Sequence, residues 1–299
     1  MIVFPIAFQG QCSLQPLPRN SFSNSGIWSV RRTPVWLIAL VVLAQYPLTL
    51  LFNLVVFHQG WIKALQLVTC GLLNATLVGY AILLPLVVGG LLFLLGRLRP
   101  RDVGLRLRDL PAAIIWALAL WAVVNLGEAV AQSGHFGFDA QWARPPALVG
   151  QWIAQIFGNA FYEEIVYRGF LTVQLALLFE RLGRGRALVL GVILAQAVFA
   201  SIHIGLLLNM GLSWSAILGT MPELFLAGVA LATVYLFTGN LLIAVGVHAL
   251  VDAPMLIPKD VSGLGDDFGY VYLMLALVAA CLWRWRIPAV TNSARSEAS

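Results

Sequence analysis

Glu163 and Glu164, with Arg168 four residues further on, lie in a run of otherwise apolar residues, as do Phe199 with His203 and His248 with Asp252. Those side chains can do acid–base chemistry. A carboxylate can take a proton from water, an imidazole can carry one near neutral pH, and hydrogen-bond donors can stabilise negative charge as it develops on a carbonyl oxygen. The setting sharpens the point, because an ionised side chain at the centre of a bilayer costs about 2.5 to 3.5 kcal/mol even on a lenient insertion scale. Residues of this kind therefore face a polar interior.

Helical spacing gives the charges different jobs. Residues four apart share a face, so Glu164 and Arg168 are placed to form an ion pair, while Glu163 is rotated by about 100° and points elsewhere. One carboxylate is neutralised and the other stays available as a general base or acid. The plainer reading is a buried structural network of all three, but two glutamates exceed what one arginine needs for charge balance. His248 and Asp252 are also four apart, so the carboxylate can orient the imidazole or both can face one cavity. A lone histidine in a span more often bonds a neighbouring helix; two histidines in company with Glu163 favour function. His58 and His135 fall at a span end and in a loop and receive no role. Glu128 is expected to reach water near a span end, and Glu223 to cap the segment after Pro222 or face an entrance; neither joins the catalytic set.

The elements that position these groups follow from composition. Of 299 residues, 60% are hydrophobic and 10% charged, which defines an integral membrane protein. Apolar runs long enough for a core of about 30 Å occur near 33–57, 64–96, 110–132, 147–179, 187–207, 214–238, 240–257 and 268–287. The expected fold is all-α, about eight transmembrane helices around a polar intramembrane cavity, built mainly by the fourth to seventh spans. Residues 1–32 are expected to be a flexible cytoplasmic leader, 33–288 one membrane domain, and 289–299 a cytoplasmic tail. With alternating spans, fourteen of the 18 lysines and arginines share one side, and Lys63, Arg144 and Lys259 the other, with Arg168 inside. The positive-inside rule then makes both termini cytoplasmic and sets Glu163 in the inner half. The net charge of +5 is explained by this topology and by anionic headgroups, without a nucleic-acid partner. Three scattered cysteines suggest neither a disulfide framework nor a cysteine metal site. Gly71, Gly79, Gly89, Gly90, Gly191 and Gly228 read as close helix contacts.

The ordered set Glu163-Glu164-x-x-x-Arg168, Phe199-x-x-x-His203 and His248-x-x-x-Asp252, on three separate spans, resembles the CPBP family of intramembrane proteases, which includes the CAAX prenyl endopeptidases. Arg168-Gly-Phe-Leu, Thr238-Gly-Asn-Leu and Val103-Gly-Leu-Arg extend the likeness, over about residues 100–257. The resemblance implies that Glu163 and His203 activate water for attack on a peptide carbonyl, that His248 and Asp252 stabilise the oxyanion, and that Glu164 and Arg168 hold the site together. Well-characterised relatives carry asparagine where this chain has Asp252. An ionised aspartate cannot donate a hydrogen bond, so Asp252 is either protonated, or accepts from His248 and keeps that ring charged as donor, or binds a metal; the second option is the expectation. No cofactor is firmly implied, although glutamate, histidine and aspartate are legitimate ligands for a divalent metal such as zinc. The expected substrate is a peptide or membrane protein met in the lipid bilayer, and the expected location a bacterial cell membrane. The competing class is a non-enzymatic membrane protein, a proton-coupled transporter or a binding scaffold, against which stands the lack of an internal repeat.

Overall fold

Apolar runs become helices at nearly every expected span. The computed structural model describes residues 25–132, 137–259 and 267–286. Among them are nine helices of more than two turns: α1 Val35–Leu54, α2 Gly60–Val68, α3 Ala75–Leu95, α4 Leu110–Ala131, α5 over 145–178, α6 Arg184–Asn209, α7 Trp214–Thr238, α8 Leu241–Asp252 and α9 Phe268–Arg286. No strand occurs among the described residues, where extended pairing is limited to an isolated bridge between Phe138 and Pro258. Helices α1, α3, α4, α6, α7 and α9 are each long and apolar enough to cross a membrane. The remaining two expected spans correspond to α5, which carries the three charges, and to the short α8.

Two boundaries differ from the sequence expectation. The long second run breaks after α2, where the chain turns through Cys70 (φ 52°) and Gly71 (φ 87°) before Asn74 caps α3 by accepting from the Leu77 amide at 2.9 Å. Hydropathy passes over such a turn because its residues are apolar or neutral; the cap residue Asn74 was the available signal. The expected leader 1–32 lies mostly outside the described residues, as does the tail 289–299, but its last part is fixed in place. Ile27 is buried, the Arg184 guanidinium lies 5.4 Å from the Trp28 ring centroid, and Gln174 of α5 donates to the Arg31 carbonyl at 2.9 Å while accepting from the Thr33 amide.

The two helices that carry most of the chemistry are the least exposed. In the six long spans only 22 to 39% of the most apolar window is buried, whereas α5 is buried without interruption over residues 162–174 and α8 is buried apart from Leu242, Gly246, Val251 and Asp252. Helix α5 packs against α3, α6 and α8, and α8 against α4, α7 and α9. Glycines permit the closest approaches: a Cβ on Gly191 would fall 2.7 Å from the Thr172 carbonyl oxygen, and one on Gly228 would fall 2.8 Å from Gln196 Oε1. Gly89 and Gly90, by contrast, meet only their own helix. Helix α5 also contains two wide turns, over Gln155–Asn159 and Glu164–Thr172, closed by i→i+5 hydrogen bonds. Turns of this kind change which residues share a face and recur at functional sites.

Helix α8 has 12 residues and so spans about 18 Å, short of a core of about 30 Å. Irregular backbone within a membrane must be satisfied by protein, and the segment that follows α8 is. Trp121 and Trp142 donate to the carbonyls of Met255 and Leu256, Tyr272 to that of Pro254, and Gln132 to that of Lys259. The Ile257 amide donates to Asn125 at 2.6 Å. Asn125 and Glu128 on α4 and Gln132 at its C-cap are buried, and Asn125 and Gln132 bond this strap. Glu128 is therefore enclosed, and does not reach water as expected.

Candidate active site

Glu163, His203, His248 and Asp252 line one cavity of about 220 Å³, together with Asn159, Phe199, Glu223 and Tyr270. Five helices contribute to it: α5, α6, α7, α8 and α9. His203 lies in the last two turns of α6, Glu223 in the third turn of α7, Tyr270 in the first turn of α9 and Asp252 at the end of α8. The cavity thus sits toward the arginine-poor end of the bundle. Asp252, Glu223 and Tyr270 are the exposed residues of its lining and mark its mouth.

The His248 imidazole is the hub. Its Nδ1 lies 2.8 Å from Glu164 Oε1, and since an ionised carboxylate can only accept, Nδ1 carries the proton. Its Nε2 faces the cavity, 3.7 Å from Glu163 Oε2 and 3.6 Å from Asp252 Oδ2. The two adjacent glutamates therefore address opposite edges of one ring, which their angular offset on α5 allows. Behind them, Arg168 is fully buried with Nη1 3.0 Å from Glu164 Oε1 and its guanidinium carbon 4.3 Å from the Phe199 ring centroid. The ion pair expected from the four-residue spacing is present. Glu164 serves two partners at once, the guanidinium and the imidazole.

Asp252 has a different partner from the one expected. At 3.6 Å its oxygen is outside hydrogen-bond range of His248, and it accepts instead from Asn159 Nδ2 at 2.8 Å. The ring is oriented by Glu164 because that carboxylate is buried beside Nδ1, an approach only the packing of α5 on α8 creates. His203 is oriented by its own helix: Nδ1 donates to the Phe199 carbonyl at 2.7 Å. In the neutral ring this leaves the Nε2 lone pair free to accept a proton.

Sequence reasoning passed over Asn159 and Tyr80. Tyr80 on α3 is near enough to interact electrostatically with Glu163, and its ring lies 5.3 Å from that of Tyr162. Tyr162 in turn donates to Gln45 of α1 at 2.7 Å. Each of these is a polar group inside an apolar span, the same signal that singled out the histidines, but without a charge to draw attention.

Among the described residues, no group of three or more His, Cys, Asp or Glu side chains is arranged to hold a metal ion. One nitrogen of each cavity histidine is committed to Glu164 or to a backbone carbonyl. The donor types suit zinc, and each ring keeps its Nε2 without a hydrogen bond. A larger cavity of about 770 Å³ lies on the other side of α8, between α4 and α5. Apart from Arg106 its lining has no ionisable side chain, so it offers none of the acid–base groups of the smaller one.

Residues 145–254 match the family model described as type II CAAX prenyl endopeptidase Rce1-like. The match begins with α5, ends two residues after α8, and contains Asn159, both glutamates, Arg168, both histidines and Asp252. This segment of a multi-pass helical membrane protein is therefore similar to Rce1-like domains, which is consistent with a CPBP-family intramembrane protease. No curated protein and no solved structure matches the chain.

Proposed function

We propose that this protein is an intramembrane endopeptidase that hydrolyses a peptide bond with water activated by Glu163 and His203. The observation that carries the reading is the cavity in which the His248 ring, held by Glu164 from behind, faces Glu163 and Asp252 with His203 beside them. Glu163 removes a proton from water as the water oxygen bonds to the carbonyl carbon. The carbonyl oxygen takes up the negative charge and receives hydrogen bonds from cavity donors, including Nε2–H of protonated His248. Collapse breaks the C–N bond, and the leaving amine takes the proton relayed through Glu163 and His203. Glu164 and Arg168 position the ring and touch no reacting atom.

The substrate class is a peptide or membrane protein that reaches the cavity through the mouth marked by Asp252, Glu223 and Tyr270. The distribution of lysine and arginine supports cytoplasmic termini, and the composition suits a bacterial cell membrane. The test is cleavage of a panel of labelled peptides and membrane proteins by purified protein in lipid. Glu163→Gln should lower kcat by about 10²- to 10⁴-fold without changing thermal unfolding. Undiminished cleavage by this variant overturns the mechanism. Proton-coupled flux in vesicles, abolished by Glu163→Gln and unaccompanied by cleavage, would establish a transporter.

A further inference from the structure

An oxyanion needs donors, and the cavity is rich in acceptors. Glu163, Asp252 and Glu223 all line it, and an ionised carboxylate donates nothing. Asp252, whose Oδ2 lies 3.6 Å from the cavity-facing Nε2 of His248, therefore adds no donor beside that ring while it is ionised. Asn159 is the carboxamide of this cavity. It lies four residues before Glu163, at the end of the first wide turn of α5, and its Nδ2 donates one hydrogen to Asp252 Oδ2 at 2.8 Å. A carboxamide nitrogen carries two hydrogens. Among the described residues the second has no protein acceptor, and it belongs to a side chain on the cavity wall.

Asp252 is suited to fix this amide. It is the last residue of α8, where the helix dipole disfavours a negative charge, so it gains from donors that approach from outside its own helix. Asn159 supplies one across the α5–α8 contact, and Asp252 in return fixes which way the amide faces: Nδ2 toward the cavity side of α8 and not Oδ1.

We infer that Asn159 is an oxyanion donor of this site, and that Asp252 is a positioning residue acting through it. This rests on the endopeptidase reading above.

The test uses the full-length protein in lipid with a peptide that wild type cleaves and Glu163→Gln does not. Asn159→Ala should lower kcat by about 10²- to 10³-fold, the usual loss for one oxyanion donor, with KM within a few-fold of wild type and unfolding unchanged. The double variant Asn159→Ala with Asp252→Asn restores a carboxamide to the site and should recover at least about tenfold of the lost kcat. A purely structural contact would not give that recovery, since neither alanine nor asparagine recreates the original pair. If Asn159→Ala retains kcat, or loses only KM, or the double variant is no better than the single one, the inference is overturned while the endopeptidase reading stands. If wild type cleaves nothing across the panel, both fall together.

Discussion

Two polar knots in this membrane protein make an instructive pair. One is at the arginine-rich end, where the Val103-Gly-Leu-Arg, Arg168-Gly-Phe-Leu and Thr238-Gly-Asn-Leu segments meet. A Cβ on Gly169 would lie 2.3 Å from the Val103 carbonyl oxygen, and Gly104 adopts φ +82° beneath the Tyr235 hydroxyl. Arg106 donates to the Gly239 carbonyl and pairs with Asp109 at 2.5 Å. Asn240 donates to the Asp109 carbonyl at 2.8 Å while its own oxygen caps α8. Here charge and amide are used up largely on backbone groups, leaving only Asp109 Oδ1 of the knot's side-chain atoms buried without a hydrogen bond. The second knot is the cavity cluster, whose side chains address one another and the open space. Glu163, His203, His248 and Asp252 line that space, while behind them Glu164 Oε2 and the Arg168 nitrogens are buried without a protein hydrogen bond, Nη1 meeting Glu164 Oε1 as an ion pair at 3.0 Å. A polar knot that satisfies itself through the backbone holds helices together; one that leaves its groups turned to a cavity is equipped for chemistry.

The contrast can be broken or sharpened by substitution. Arg168→Leu should have the largest effect, a loss of about 3 to 5 kcal/mol, because it removes the guanidinium of a buried ion pair and leaves Glu164 with the His248 ring alone. Reversible unfolding in lipid or detergent measures it, and a loss below about 1 kcal/mol would show that Glu164 does not depend on the pair. Gly169→Ala comes next. The added methyl must push α5 away from the 100–103 turn at a cost of about 1 to 3 kcal/mol, seen as a lower unfolding midpoint with kcat of the folded fraction preserved. Asn240→Ala should cost about 1 to 2 kcal/mol through the lost cap of α8, again without a change in kcat; a fall in kcat alone would mean that the two knots are not separable. Smallest is Glu223→Gln at the exposed cavity mouth. Tyr270 donates to this carboxylate at 3.3 Å, a contact the amide oxygen can keep. Stability should change by no more than about 0.5 kcal/mol, and a fall in cleavage with KM raised would instead give Glu223 a part in holding substrate.

Much of the molecule was legible in one dimension. The hydrophobic runs located seven of the eight expected spans as single helices or parts of them, because a membrane demands length and apolarity that little else imposes. The ion pair of Glu164 and Arg168 followed from a spacing of four, which helical geometry turns into contact. What failed was whatever depended on a second element. The break at residues 69–74 is decided by a positive-φ turn packed on Ala147 of α5. Glu128 was expected to reach water, and is instead buried on α4 between residues that bond the segment following α8.

The residue types that could do chemistry, their order along the chain and the membrane around them were determined by the sequence itself, since charge, periodicity and hydropathy are local properties. Which edge of the His248 ring each glutamate addresses, the partnership of Asn159 with Asp252, and the depth of the cavity were decided only by tertiary structure. Each is a contact between helices far apart in sequence, and hydrogen-bond partners across such a contact depend on a few ångströms of packing that no spacing rule encodes.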